Sequence, residues 1–273
     1  MPMAIGTNAR AETKGSARST RIRFIGQCLL QGYSGLGRAD IFPALTARRL
    51  ETSLEETRVA VSAGEFYHPA QLLGEVDHSI GYADVIVIDV GALSVATGVN
   101  AVDMSRFPGW VVGVNERFRH LRRARHELLT AYPRSERWVE LIEAGTLGLA
   151  RKALRLLVRR YPRPTLEEYE TTVREAVSRI RNANVRVVLQ GPSGLNPGAR
   201  GHKYAPDTPQ IYDDVNAMTR RIAEAAQLPM VDRMAIGRHH PSLFLPGSER
   251  YSRLGHRVLG EALAELLLDT QFV

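Results

Sequence analysis

Cysteine is almost absent: the 273 residues hold one, Cys28. A single thiol excludes an intrachain disulfide and every zinc site built on paired cysteines, and it makes a reducing cytoplasm the simplest setting. Long hydrophobic runs are missing too. No uninterrupted apolar stretch approaches the roughly 20 residues that a membrane-spanning helix needs. Residues 1–20 mix Ala, Gly, Ser, Thr, Lys and Arg without the apolar centre of a secretory signal, and they read as a disordered leader. Internal repeats and long low-complexity tracts are also lacking. The remainder, 21–273, is therefore expected to be one domain with an insertion. Gly32, Gly35 and Gly37 do not have the spacing of a dinucleotide fingerprint. No cofactor and no metal are expected.

What is present is ordinary globular composition, 44% hydrophobic and 24% charged, enough to bury one sizeable core. Three short runs rich in Val and Ile, at 23–25, 84–90 and 185–190, read as buried parallel strands, and each is followed by a glycine, Gly26, Gly91 or Gly191. Helical spacing occupies 41–50, 69–76, 166–183, 213–226 and 251–268. Alternating strand and helix predicts an α/β fold, a three-layer doubly wound parallel sheet. Ligands of such sheets bind beyond the carboxyl ends of the strands, which directs attention to 26–28, 91–94 and 191–194.

Lys and Arg number 36 against 29 Asp and Glu, a formal charge of +7. Much of the excess falls in 106–163, which is longer than one crossover helix and reads as a basic helical insertion. Within it, 147–160 has the pattern of an amphipathic basic helix. Solvated arginines on a lid or flanking pair of helices are the plain explanation; peripheral membrane contact through 147–160 is the functional one. Nucleic acid is not expected as a partner. Oligomeric state is not legible.

The segment Arg21-Ile22-Arg23-Phe24-Ile25-Gly26-Gln27-Cys28 reads as strand, sharp glycine turn and helix start. A thiol at a helix N-terminus is acidified by the unsatisfied backbone N–H groups, and the same groups can stabilise a developing oxyanion. A cysteine is equally at home as a small buried hydrophobe.

This segment resembles the first block of SGNH (GDSL-like) hydrolases, strand-Gly-Asp-Ser, with Gln27 in place of Asp and Cys28 in place of the nucleophilic Ser. Val85 to Ser94 is similar to the block that ends Gly-x-Asn-Asp in the family: Gly91 is kept, and Leu93 stands where an asparagine would help to hold the oxyanion. Val187-Val188-Leu189-Gln190-Gly191-Pro192 is similar to the late strand with its proline-containing loop, and Leu228-Pro229-Met230-Val231-Asp232 to the short last strand. Gly255-His256 matches the start of the final helix. Counting back from Gly255 by the family's spacing places Gly247 at the catalytic aspartate and Arg250 at the catalytic histidine. The resemblance implies a flavodoxin-like SGNH hydrolase fold with degenerate catalytic blocks.

A thiol needs less help from a base than a hydroxyl does, so Cys28 can work without that dyad. His239 and His240, expected in the loop before the last helix, are candidate bases as well as ordinary loop histidines. Gly26, Gly91 and Leu93 would line the oxyanion region. Arg250 could hold a carboxylate or phosphate at the crevice mouth, and Tyr204 could contact substrate from a polar loop. Val87-Ile88-Asp89-Val90-Gly91 also has the ending of a methyltransferase strand, but the required second glycine is Leu93. The reading is an SGNH-like esterase, thioesterase or acyltransferase acting on an acyl ester such as an acetylated sugar. The alternative is a catalytically degenerate protein that binds an anionic glycan or acyl carrier, or runs a non-hydrolytic reaction in the same crevice.

Overall fold

β-branched runs separated by amphipathic helices leave the chain one economical solution, a parallel sheet covered on both faces. The computed structural model describes residues 18–26, 36–54, 57–66, 68–92, 95, 164–194, 208–244 and 251–272. Among them five strands form one sheet: β1 Arg18–Gly26, β2 Thr57–Glu65, β3 Val85–Asp89, β4 Arg186–Gln190 and β5 Met230–Val231. Their order is β2-β1-β3-β4-β5, and every neighbouring pair is parallel. This is the flavodoxin-like order, with the reversal point between β1 and β3.

Helices α1 Phe42–Ser53 and α6 Arg253–Asp269 cover one face, and α2 Pro69–Ser79, α3 Leu166–Asn182 and α4 Thr208–Ala226 the other. A short α5, Arg233–His239, follows β5 directly. Strand alternation sorts the core accordingly. Ile22, Phe24, Val85, Val87 and Val188 point toward Phe42, Leu50, Leu259, Leu263 and Leu267. Ile25, Ile86, Ile88, Val187 and Leu189 point toward Leu72, Val76, Tyr169, Val173, Val215 and Met218. Each fully buried aliphatic or aromatic side chain contributes about 1.5–3 kcal/mol, so both faces are needed to hold the sheet. Helix starts are specified locally. The Thr165 hydroxyl accepts from the Glu168 N–H at 3.1 Å while the Glu168 carboxylate accepts from the Thr165 N–H at 2.7 Å, a reciprocal cap on α3. Ser252 caps α6 by accepting from the Gly255 N–H at 3.1 Å.

The fold departs from the sequence reading in three places. β1 begins at Arg18, so the last residues of the segment read as a leader are strand, paired in register with the start of β2. β2 itself is not among the expected strands: it is an edge strand of small and polar residues with only Val59 and Gly64 buried. Residues 233–239, expected as loop, form α5. The insertion 106–163, with 147–160, lies outside the described residues.

Candidate active site

The carboxyl edge of the sheet is where α/β folds hold ligands, and here it carries charge. Asp89 is the last residue of β3, after four apolar positions, and is 2% exposed. Gly26 ends β1 beside it. A Cβ on Gly26 would stand 2.5 Å from the Asp89 Cβ, so only glycine lets the aspartate side chain lie across the first strand's end. Gln190 ends β4, in register with Asp89 and therefore on the same face of the sheet.

Arg233 opens α5 and is 1% exposed. Its Nη1 donates to Asp89 Oδ2 at 3.1 Å, its Nη2 donates to Asp89 Oδ1, and its Nε donates to the Gly191 carbonyl at 2.6 Å. One guanidinium thus ties together the ends of β3 and β4 and the start of α5. Burial pushes the Asp89 carboxyl up against the pull of Arg233. Burial also opposes the charge on Arg233, but Asp89 outweighs it and holds the guanidinium above its ordinary value. Removing either partner would strand a charge in apolar surroundings.

Two tyrosines bond the segments that follow β3 and β4. The Tyr251 hydroxyl donates to the Ser193 carbonyl at 3.2 Å, and burial raises its phenol above the usual range. The Tyr169 hydroxyl donates to the Gly91 carbonyl at 3.3 Å. Asp232, one residue before Arg233, caps α5 by accepting from the Ala235 N–H at 2.9 Å, and it also accepts from Arg220 at 2.5 Å and from Asn216 at 3.3 Å. Partial burial opposes ionisation there, yet those donors together hold its carboxyl below the ordinary value. Among the described residues, the buried Gln190 Oε1 and Nε2 and Asn216 Oδ1 have no hydrogen-bond partner.

Of the residues singled out from sequence, Gly26 is the last residue of β1 and Gly91 lies two residues beyond the end of β3, and both are buried. His239 is not in a loop but closes α5, and His240 is its C-cap, exposed, with its N–H directed at the Gly237 carbonyl at 3.4 Å. Arg233 and His239 are thus opposite ends of one helix, about 9 Å apart along its axis. Cys28, Leu93, Tyr204 and Arg250 lie outside the described residues. Asp89, Gln190, Arg233 and Tyr251 are a group that sequence reasoning missed. The available signal was polarity at a strand's last position: VIVID and VVLQ each end an apolar run on a side chain that a buried sheet does not welcome. Among the described residues no group of three His, Cys, Asp or Glu could hold a metal ion, and no helix is long and apolar enough to cross a membrane.

No protein-family model matches the chain, and no curated protein matches it by sequence. Solved structures do. The lipase/acylhydrolase from Enterococcus faecalis is 14% identical with a TM-score of 0.56, the match covering 91% of this chain and 95% of that one. The psychrotrophic esterase EstA from Pseudoalteromonas is 10% identical with a TM-score of 0.54, over 92% and 98%. Est24, a carbohydrate acetylesterase from Sinorhizobium meliloti, is 9% identical with a TM-score of 0.53, over 92% and 99%. The chain has the SGNH hydrolase fold, and this likeness extends over nearly its whole length.

Proposed function

We propose that this protein is an SGNH-type hydrolase of acyl esters, with Cys28 as its nucleophile. The observation that carries the reading is the end of β1: it terminates at the reversal point of a parallel sheet, on Gly26, two residues before the only thiol. The solved structures that share this architecture are named as lipases, esterases and carbohydrate acetylesterases, which supports an ester bond as the substrate.

In the proposed reaction the Cys28 thiolate attacks the acyl carbonyl carbon, and the carbonyl electron pair moves onto oxygen. Collapse of that intermediate expels the alcohol, which takes up a proton, and leaves an acyl thioester. Attack by water releases the carboxylic acid and restores the thiol; attack by a second alcohol would make the enzyme an acyltransferase. Backbone N–H groups after Gly26 and Gly91 are the proposed oxyanion donors. His239 or His240 is the proposed base. Leu93, in the place of the family's asparagine, removes one donor, a loss worth about 10²–10³ in rate, so turnover should be slow.

Cys28→Ala and Cys28→Ser, assayed on aryl esters, acetylated sugars and acyl thioesters, test the reading. Alanine should abolish turnover and serine should lower it at least about 10-fold, because a hydroxyl lacks the base that the family supplies at the positions of Gly247 and Arg250. Unchanged turnover in both variants would end the proposal.

A second reading has its own support. Gly247, Arg250 and Leu93 replace all three of the family's partner groups, as expected of a protein that keeps the crevice for binding. Thiol titration separates the two: an accessible, acidified Cys28 belongs to catalysis, an inert one to binding.

A further inference from the structure

β2 ends beside β1. Gly26 is in register with Glu65, the last residue of β2, and the Phe66 N–H donates to the Gly26 carbonyl at 3.0 Å. The chain leaving β2 therefore starts next to the chain leaving β1, about 4.8 Å away across one strand spacing. Two residues beyond Phe66 stands His68, partly exposed, between the buried Phe66 and the buried Pro69.

The His68 ring is held in one orientation and one tautomer. Pro69 confines the residue before it to extended backbone, and His68 has φ −116° and ψ 141°. Its Nδ1 accepts from the Ala70 N–H at 3.2 Å while its own backbone N–H donates to Gln71 Oε1 at 3.2 Å, a reciprocal cap on α2. A ring nitrogen that accepts carries no proton, so the neutral imidazole has its proton on Nε2. Such a ring is a donor and not a base, since Nε2 is protonated and Nδ1 is engaged. Capping alone does not call for histidine: Asn, Asp or Ser caps a helix better with a smaller side chain. What the imidazole adds is its second nitrogen. A neutral imidazole N–H at a helix start is suited to polarising a carbonyl, and the start of α2 favours negative charge at the same place. An oxyanion donor is what the chain lacks elsewhere, because Leu93 stands where the family has asparagine.

We propose that His68 donates its Nε2–H to the carbonyl oxygen of the bound ester as negative charge develops there, supplying from the end of β2 the donor that Leu93 does not. The proposal rests on the reading that the protein hydrolyses acyl esters. His68 keeps its proton throughout, so it complements a base and does not replace one.

Two substitutions in the full chain divide the ring's functions. His68→Asn keeps an acceptor for the Ala70 N–H and removes the Nε2–H; His68→Gln carries an amide N–H to about the place of Nε2 and gives up the cap. On the ester that the wild type turns over best, His68→Asn should lower kcat about 10²-fold, the effect of one oxyanion donor, with KM within about 2-fold. Its melting temperature should stay within about 2 °C of the wild type. His68→Gln should melt about 2–4 °C lower yet keep kcat within about 10-fold. Unchanged kcat in His68→Asn, a loss confined to KM, or activity that follows melting temperature in the two variants would each overturn the proposal. Turnover lost in Cys28→Ala but unchanged in His68→Asn defeats this proposal alone. Turnover that survives in Cys28→Ala defeats the nucleophile, and His68→Asn still decides the donor. Absence of ester turnover in the wild type defeats the underlying reading and this proposal with it.

Discussion

His256 sits at the fourth position of α6 with no exposed area, stacked 6.1 Å from Phe42 and edge-on to Tyr251 at 5.9 Å. Its Nδ1 accepts the Phe42 backbone N–H at 3.2 Å, a bond that requires an unprotonated nitrogen. Burial lowers its pKa from 6.5 to about 4. Between those values the unfolded chain binds a proton that the folded one refuses, so stability rises with pH across that window and is lost as pH falls through it. The gap corresponds to about 3 kcal/mol, fully present above pH 6.5. Urea unfolding at several pH values between about 4.5 and 7.5 should show this slope in the wild type. His256→Asn keeps an acceptor near the Nδ1 position and cannot titrate, so its slope should be flatter by that amount. Parallel slopes would mean that the imidazole titrates freely in the folded state. The lowered carboxyls of Asp84, Asp232 and Glu170 act only below the ordinary carboxylate range and so do not mimic the effect.

At the scale of elements, two helical glycines have opposite surroundings and therefore opposite expected behaviour. A Cβ on Gly74 of α2 would meet nothing within 4 Å, so Gly74→Ala should raise stability by about 1 kcal/mol from helix propensity alone. On Gly260 of α6 a Cβ would lie 2.8 Å from the Leu45 Cβ and 3.3 Å from the Phe42 carbonyl. There α1 and α6 touch backbone to backbone, and overpacking of about 1–3 kcal/mol exceeds the propensity gain. Gly260→Ala should lower the denaturant midpoint, and Gly74→Ala should raise it. The elements themselves were legible where burial imposes pattern. The Val and Ile runs of β3 and β4, closed in on both faces, could hardly be read otherwise, and α3 announces its start with Thr165 and Glu168. β2 was not legible, because an edge strand half open to solvent tolerates Ser62, Ala63 and Gly64 and so carries no apolar run. α5 was missed because seven residues interrupted by Gly237 are too few to establish a helical period.

At the scale of the whole molecule, the carboxyl edge of the sheet carries a buried ion pair between residues 144 apart in sequence, Asp89 and Arg233. Nothing local predicts such a pair; only the strand order brings the end of β3 to the start of α5. The glycines at the strand ends were legible because each closes an apolar run in the sequence itself. The ion pair was not, because each partner makes sense only in the presence of the other. That interdependence is measurable. Arg233→Met should cost about 3–5 kcal/mol at pH 7, since it leaves a carboxylate buried and unpaired, and Asp89→Asn at least as much, since a guanidinium cannot shed its proton. The two should also differ in pH dependence. Without Arg233, burial alone acts on Asp89 and raises its pKa further, so that variant should lose stability as pH rises from about 5 to 7. Without Asp89 there is no such escape, and that variant's deficit should stay constant over the same range. The double variant Asp89→Asn/Arg233→Met should be more stable than the less stable single, because neither charge is then left behind. If the two single losses simply add, the pair does not couple the strand ends, and the carboxyl edge of the sheet is held by apolar packing instead.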